Sequence, residues 1–202
     1  MFYKFVKIIT WVFFKIYSRL WIEGQDYLPQ NKAFILAANH FSTLDSFILM
    51  AAVHQEIYTL GKKELFNNFL LRFLLTMLNG IPVNRTGVCH QTFKTVTKRL
   101  HQQKIIAIFP EGYVSKNGTI GFFKHGFAYL SLKAKVPIIP TAIIGSNRVL
   151  PYGKKIPRPY QITVKIGKPI YFDSYYDREY DLEIINEVTN IVRNEIIAIY
   201  RT

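Results

Sequence analysis

Cysteine is nearly absent from this chain of 202 residues. The single thiol, Cys89, excludes an intrachain disulfide and a cysteine-based metal cluster; its neighbours Val88 and His90 form no nucleophile motif, so it reads as a structural or surface thiol. Long apolar runs are also missing. The longest stretches without Asp, Glu, Lys or Arg are 12 residues, at 33–44, 73–84 and 136–147, too short for the ~18–20 residues that span a bilayer. A secretory leader is not expected, because Lys7 and Lys15 bracket only residues 8–14 and no small-residue cleavage pattern follows.

Acidic residues are the third scarcity: 13 Asp and Glu stand against 26 Lys and Arg, a formal net charge of +13. That excess implies an anionic partner without implying a fold, and both nucleic acid and an anionic lipid surface satisfy it. Nucleic acid finds no support in a zinc knuckle, an RNP-like aromatic motif or a KH-type glycine loop. There is no Gly-Lys-Ser/Thr phosphate loop, which argues against nucleotide hydrolysis. His40, His54, His90, His101 and His125 are dispersed without paired ligand spacing, so no metal or other cofactor is expected.

What is present is ample material for one core: half the residues are hydrophobic and 15% are aromatic. From residue 33 onward, short apolar runs alternate with amphipathic segments, which predicts a single α/β domain with a mixed central sheet flanked by helices. Strands are expected at 33–38, 57–60, 81–84, 105–109, 138–144 and 161–166. Helices are expected at 44–54, 66–79, 88–103, 124–134 and 181–200. The segment 65–78 is apolar over most of its circumference and reads as a buried helix, the alternative being a wall of an acyl-chain channel. Residues 150–160 read as a surface loop.

The N-terminus carries a different pattern. As a helix, residues 1–21 gather Lys4, Lys7, Lys15, Ser18 and Arg19 on one side and Phe2, Phe5, Val6, Ile9, Val12, Phe13, Ile16 and Leu20 on the other, with Trp11 and Trp21 as interfacial anchors. This is the pattern of a helix lying in a membrane surface. The expected organisation is therefore an amphipathic membrane-associating helix at 1–21 and a body at 22–202.

Two short strings carry the chemistry: Asn39-His40-Phe41-Ser42-Thr43-Leu44-Asp45 and Phe109-Pro110-Glu111-Gly112. A histidine at the end of an apolar strand, with a carboxylate five residues on in the next helix's first turn, supplies a base and the group that orients it. Ser42 is a candidate N-cap for that helix, and Asn39 and Ser42 are expected to shape the turn. Between the two strings lies Gly80-Ile81-Pro82-Val83-Asn84-Arg85, and after them Val136-Pro137-Ile138-Ile139-Pro140.

In this order the strings resemble the lysophosphatidate (1-acylglycerol-3-phosphate) acyltransferase family, whose signature reads Asn-His-x-Ser-x-x-Asp, Gly-x-x-x-x-Arg, Phe-Pro-Glu-Gly and Val-Pro-Ile-x-Pro. The lead-in Glu23 to Pro29 is similar too, so the likeness spans roughly residues 22–170. It implies transfer of a fatty acyl group from acyl-CoA or acyl carrier protein to the sn-2 hydroxyl of 1-acylglycerol-3-phosphate, giving phosphatidic acid at the cytoplasmic face of a membrane. His40 would be the general base and Asp45 its partner. Arg85, Glu111, Gly112 and Lys124 would bind the lysophospholipid acceptor, Arg85 by its bidentate fit to phosphate. One departure stands out: many members continue after Gly112 with Thr-Arg-Ser, where this chain has Tyr113-Val114-Ser115-Lys116. That leaves open another lysolipid or amino-lipid acceptor; a lipid-binding protein without catalysis is the remaining alternative.

Overall fold

The computed structural model describes residues 1–84, 90–176, 178 and 180–202. A seven-stranded sheet forms the centre, with strand order β1-β7-β6-β2-β5-β3-β4. The strands are β1 (Trp21–Glu23), β2 (Ile35–Ala38), β3 (Ile57–Lys62), β4 (Gly80–Val83), β5 (Ile105–Ile108), β6 (Ile138–Ile144) and β7 (Thr163–Ile166). The helices are α1 (Phe2–Tyr17), α2 (Asp45–Ala52), α3 (Phe69–Met77), α4 (His90–His101), α5 (Gly126–Ala134), α6 (Ser146–Val149) and α7 (Leu182–Arg201). Five adjacent strands, from β6 to β4, run parallel; β7 is antiparallel to β6, and β1 is parallel to β7. The sheet is therefore mixed, as expected.

The parallel strands read as unbroken apolar runs because both of their faces are covered. Leu36 and Ala38 of β2 point into one layer with Ile48 and Leu49 of α2, while Ile35 and Ala37 point into the other with Phe127 and Leu130 of α5. Strand β5 divides the same way, with Ile105 and Ala107 on the α2 side and Ile106 and Ile108 on the α5 side. The chain leaves β2 through α2 on one face, passes over β5 and reaches β3. It leaves β5 through α5 on the opposite face, passes over β2 and reaches β6. The β2/β5 junction is thus the point where two connections depart to opposite sides, opening a crevice at the strands' carboxyl ends.

Two expectations need correction. Residues 1–21 pack on the body: Tyr3 and Phe14 of α1, together with Leu20, are buried in the α2-side core, and β1 begins at Trp21. The Tyr3 hydroxyl accepts from the Ile57 backbone N–H at 3.0 Å. Lys7, assigned by the helical wheel to the exposed basic stripe, turns inward and donates to the carbonyls of Val53, His54 and Gln55 at 2.5, 2.5 and 3.0 Å, in the segment that follows α2. Burial pulls the Lys7 ammonium down to about 8, with the Glu56 carboxylate opposing.

The second correction concerns 65–78. Its helical core, α3, has no buried residue at all. Leu78, just beyond it, is its link to the α2-side core. Among the described residues, no helix is long and apolar enough to cross a membrane.

Candidate active site

The crevice at the β2/β5 junction receives the two motifs from neighbouring strands. His40 follows β2 and Glu111 follows β5, so strands in register bring together residues 71 apart in sequence. His40 is 8% exposed and Asp45 is fully buried. The His40 ring lies flat on Phe109, with centroids 4.0 Å apart and planes at 14°. Its Nδ1 is 2.9 Å from Asp45 Oδ2.

That oxygen has two more donors, the backbone N–H groups of Phe41 at 2.7 Å and Ser42 at 2.8 Å. A carboxylate accepts only, so His40 Nδ1 carries a proton, and in the neutral ring Nε2 keeps its lone pair. Nε2 has no protein partner among the described residues. The site thus presents one unprotonated imidazole nitrogen at the mouth of a crevice, with its ring fixed in plane by Phe109 and in rotation by Asp45.

Four further bonds hold the loop that carries the histidine. The Asn39 side chain donates to the Ile143 carbonyl at 2.9 Å and accepts from the Ile143 N–H at 2.7 Å, tying the end of β2 to β6. The Ser115 N–H donates to the His40 carbonyl at 2.8 Å. Ser42 Oγ donates to the Leu150 carbonyl at 3.0 Å. Ser42 does shape the turn, but it is not the N-cap of α2; the cap position is Leu44, without a side-chain bond.

Glu111 differs from its expected place. It is fully buried, and both of its oxygens are taken by backbone donors: Oε1 by the His40 N–H at 2.9 Å and Oε2 by the Gly121 N–H at 3.1 Å. Burial pushes its carboxyl up, against the pull of those two bonds and of the nearby His40. Glu111 therefore acts as a strut between the histidine loop and the 121 segment, which Arg193 fastens again by donating Nε–H to the Gly121 carbonyl at 2.9 Å. No sequence signal distinguishes a carboxylate aimed at backbone amides from one aimed at a ligand.

Gly112 is the half-buried counterpart. It takes φ +75°, and a Cβ there would lie 3.0 Å from Lys124 Cε and 3.3 Å from Nζ. The Lys124 N–H bonds the Pro110 carbonyl at 2.8 Å, which pins this exposed lysine over the glycine. The structure thus gathers His40, Asp45, Glu111, Gly112 and Lys124 around one crevice. Arg85 and Cys89 lie outside the described residues. The contact of Phe109 with the imidazole was not foreseen, although Phe109 heads the Phe-Pro-Glu-Gly string. No group of three metal-ligating side chains occurs among the described residues.

Known proteins resemble this chain in sequence and fold. The Acyltransferase family model matches residues 19–144. A 1-acyl-sn-glycerol-3-phosphate acyltransferase of Cocos nucifera is 28% identical over 83% of this chain and 54% of its own length. One from Limnanthes douglasii is 30% identical, covering 76% and 55%, and one from Bacillus subtilis (strain 168) is 25% identical, covering 84% and 82%. The chain thus spans about half the length of the plant relatives it matches. The crystal structure of the 1-acyl-sn-glycerophosphate (LPA) acyltransferase PlsC from Thermotoga maritima has the same fold, with a TM-score of 0.80 at 23% identity over 97% of this chain and 78% of that one. The match over residues 19–144 takes in the β2/β5 crevice with both its motifs, and the chain belongs to the acyltransferase family.

Proposed function

We propose that this protein transfers a fatty acyl group from an acyl thioester to the sn-2 hydroxyl of 1-acylglycerol-3-phosphate, forming phosphatidic acid. The observation that carries the reading is the orientation of His40: Asp45 accepts the Nδ1–H hydrogen bond and leaves Nε2 as a base at the β2/β5 crevice. As the acceptor oxygen attacks the thioester carbonyl carbon, its proton passes to Nε2, and Asp45 stabilises the imidazolium. Collapse of the tetrahedral intermediate breaks the C–S bond, and the imidazolium returns the proton to the departing thiolate. The donor is acyl-CoA or acyl carrier protein, both anionic thioesters suited to a basic chain. Arg85 and Lys124 bind the acceptor phosphate, with Gly112 allowing close backbone approach.

The membrane reading is supported by α1, which docks one stripe and leaves Phe5, Ile8, Ile9, Val12 and Ile16 exposed beside Trp11. With Lys4, Lys15 and Arg19 nearby, it suits the anionic cytoplasmic face of a membrane.

The test incubates the purified full chain and His40→Ala with labelled oleoyl-CoA and a panel of lysolipids. Product with lysophosphatidate from the native chain alone supports the proposal. Product only with another lysolipid or an amino-lipid selects the second reading, which the Tyr113-Val114-Ser115-Lys116 segment favours. No product with any thioester, including acyl carrier protein, leaves lipid binding without catalysis. Arg85→Ala is expected to raise the acceptor KM more than the donor KM; equal losses for both would refute its assignment.

A further inference from the structure

Helix α3 is inside out. Leu75, its one half-buried residue, faces the body, where its carbonyl backs onto Gly80 at a distance of 2.8 Å from where a Cβ would stand. On the opposite arc, at helical spacing, stand Phe69, Phe73 and Met77 with Leu70 and Leu74 beside them. Phe69 is 85% exposed, Leu70 71% and Phe73 59%. A surface helix normally turns its polar face outward; here the outward face is the apolar one. Exposed apolar patches of this kind mark an interaction surface.

The position of α3 matters as much as its composition. It follows the carboxyl end of β3, and β2, β5 and β3 are parallel neighbours. Two strand spacings, roughly 10 Å, separate β3 from the strand that ends in His40. The helix therefore springs from the catalytic rim.

Two observations say what covers it. With Leu71, also exposed, the apolar arc reaches about 200° of the circumference, which the flat face of a protein partner touches on one side only, whereas fluid hydrocarbon surrounds it. From 65 to 84 the chain contains no acidic residue and one cation, Arg72, with Lys62 and Lys63 immediately before and only Glu64 between. That charge is complementary to an anionic headgroup layer, and Arg72 has the reach to return its guanidinium to it.

We propose that α3 is a second membrane-inserting element, distinct from α1, which sinks the catalytic rim into the hydrocarbon of an anionic bilayer. This rests on the membrane reading above and adds where the enzyme meets its lipid. A lysolipid then reaches the crevice by lateral motion, with its acyl chain still in the bilayer.

The test places a fluorophore on that face. In a Trp11→Phe/Trp21→Phe background, Phe73→Trp provides the sole tryptophan. On phosphatidylglycerol-containing vesicles its emission is expected to shift to the blue and to be largely lost when the acyl chains are brominated. Leu70→Gln/Phe73→Gln in the otherwise native chain is expected to lower vesicle partitioning by about tenfold or more, since each buried Leu or Phe contributes on that scale. Unquenched emission from protein that nevertheless co-sediments with vesicles overturns this inference and leaves α1 as the anchor. A vesicle-free dimer that the Gln variant dissociates, with partitioning unchanged, assigns the face to self-association instead. Failure of the native chain to sediment with vesicles removes the membrane reading and this inference together.

Discussion

Replacing Asp45 by Asn isolates charge from geometry at the centre of the site. All three donors reach one oxygen, Oδ2, while Oδ1 is buried and has no partner among the described residues. An asparagine with its carbonyl at the Oδ2 position keeps the His40, Phe41 and Ser42 bonds and sets its NH2 where Oδ1 stood. The stability cost is then one unsatisfied amide, about 1–3 kcal/mol. The loss in catalysis is larger. An imidazolium and a carboxylate 2.9 Å apart attract by about 6 kcal/mol at an effective dielectric of ~20, and part of this is returned as lost solvation. A fall in kcat of roughly 10² to 10⁴, or about 3–5.5 kcal/mol, is expected in Asp45→Asn. Asp45→Ala also strands the two backbone donors, so it should lose roughly 2–6 kcal/mol of stability. Urea denaturation of the three proteins, paired with single-turnover acyl transfer, separates these terms. Turnover in folded Asp45→Asn within a few fold of the native value would refute the charge argument, and an Asp45→Ala chain no less stable than Asp45→Asn would refute the geometric one.

Three-way bonding of Lys7 gives a pH signature. Its folded value of about 8 lies below the ordinary 10.5, so between these limits the unfolded chain holds the extra proton and stability rises with pH. Native stability relative to Lys7→Met should therefore grow from pH 8 toward 10.5 in denaturation series; a constant or shrinking difference refutes it. Phe14→Ala is expected to cost about 3–5 kcal/mol, as for a buried core aromatic, whereas Ile16→Ser, at a site 77% exposed, should change stability by no more than about 0.5 kcal/mol and weaken vesicle binding. For the same reason, deleting 1–21 should unfold the body rather than release it, and a truncated chain that melts with the full one would contradict the docking of α1.

The parallel core was legible because β2, β5 and β6 are buried on both faces, and a four-residue run such as Ile35 to Ala38 has no other use in a chain this basic. Strand β1 was not legible: Trp21 to Glu23 alternate exposed, half-buried and exposed, and the pairing that makes them a strand comes from β7, some 140 residues on. The orientation of α3 was misread because hydropathy reports how much apolar surface a helix has, not which solvent receives it. Lys7 was misplaced for a related reason: a helical wheel records angle, whereas three carbonyls of the segment after α2 decide which lysine turns inward. At the site, the His40–Asp45 pair could be read from its spacing, but the bonds of Glu111 to two backbone amides depend on a sheet register that no local string contains.

Helix α2 ties two of these features into one mechanical element. Its first residue, Asp45, grips His40; just past its last turn, three carbonyls grip Lys7 of α1. Eight residues make a strut about 12 Å long, stiff along its axis. A pull on α1 therefore has a short, stiff route toward the Nδ1–Oδ2 contact, and from 2.9 Å a shift of roughly half an ångström weakens a hydrogen bond steeply. Load on the N-terminal helix and the alignment of the base are thus two readings of the position of one rod.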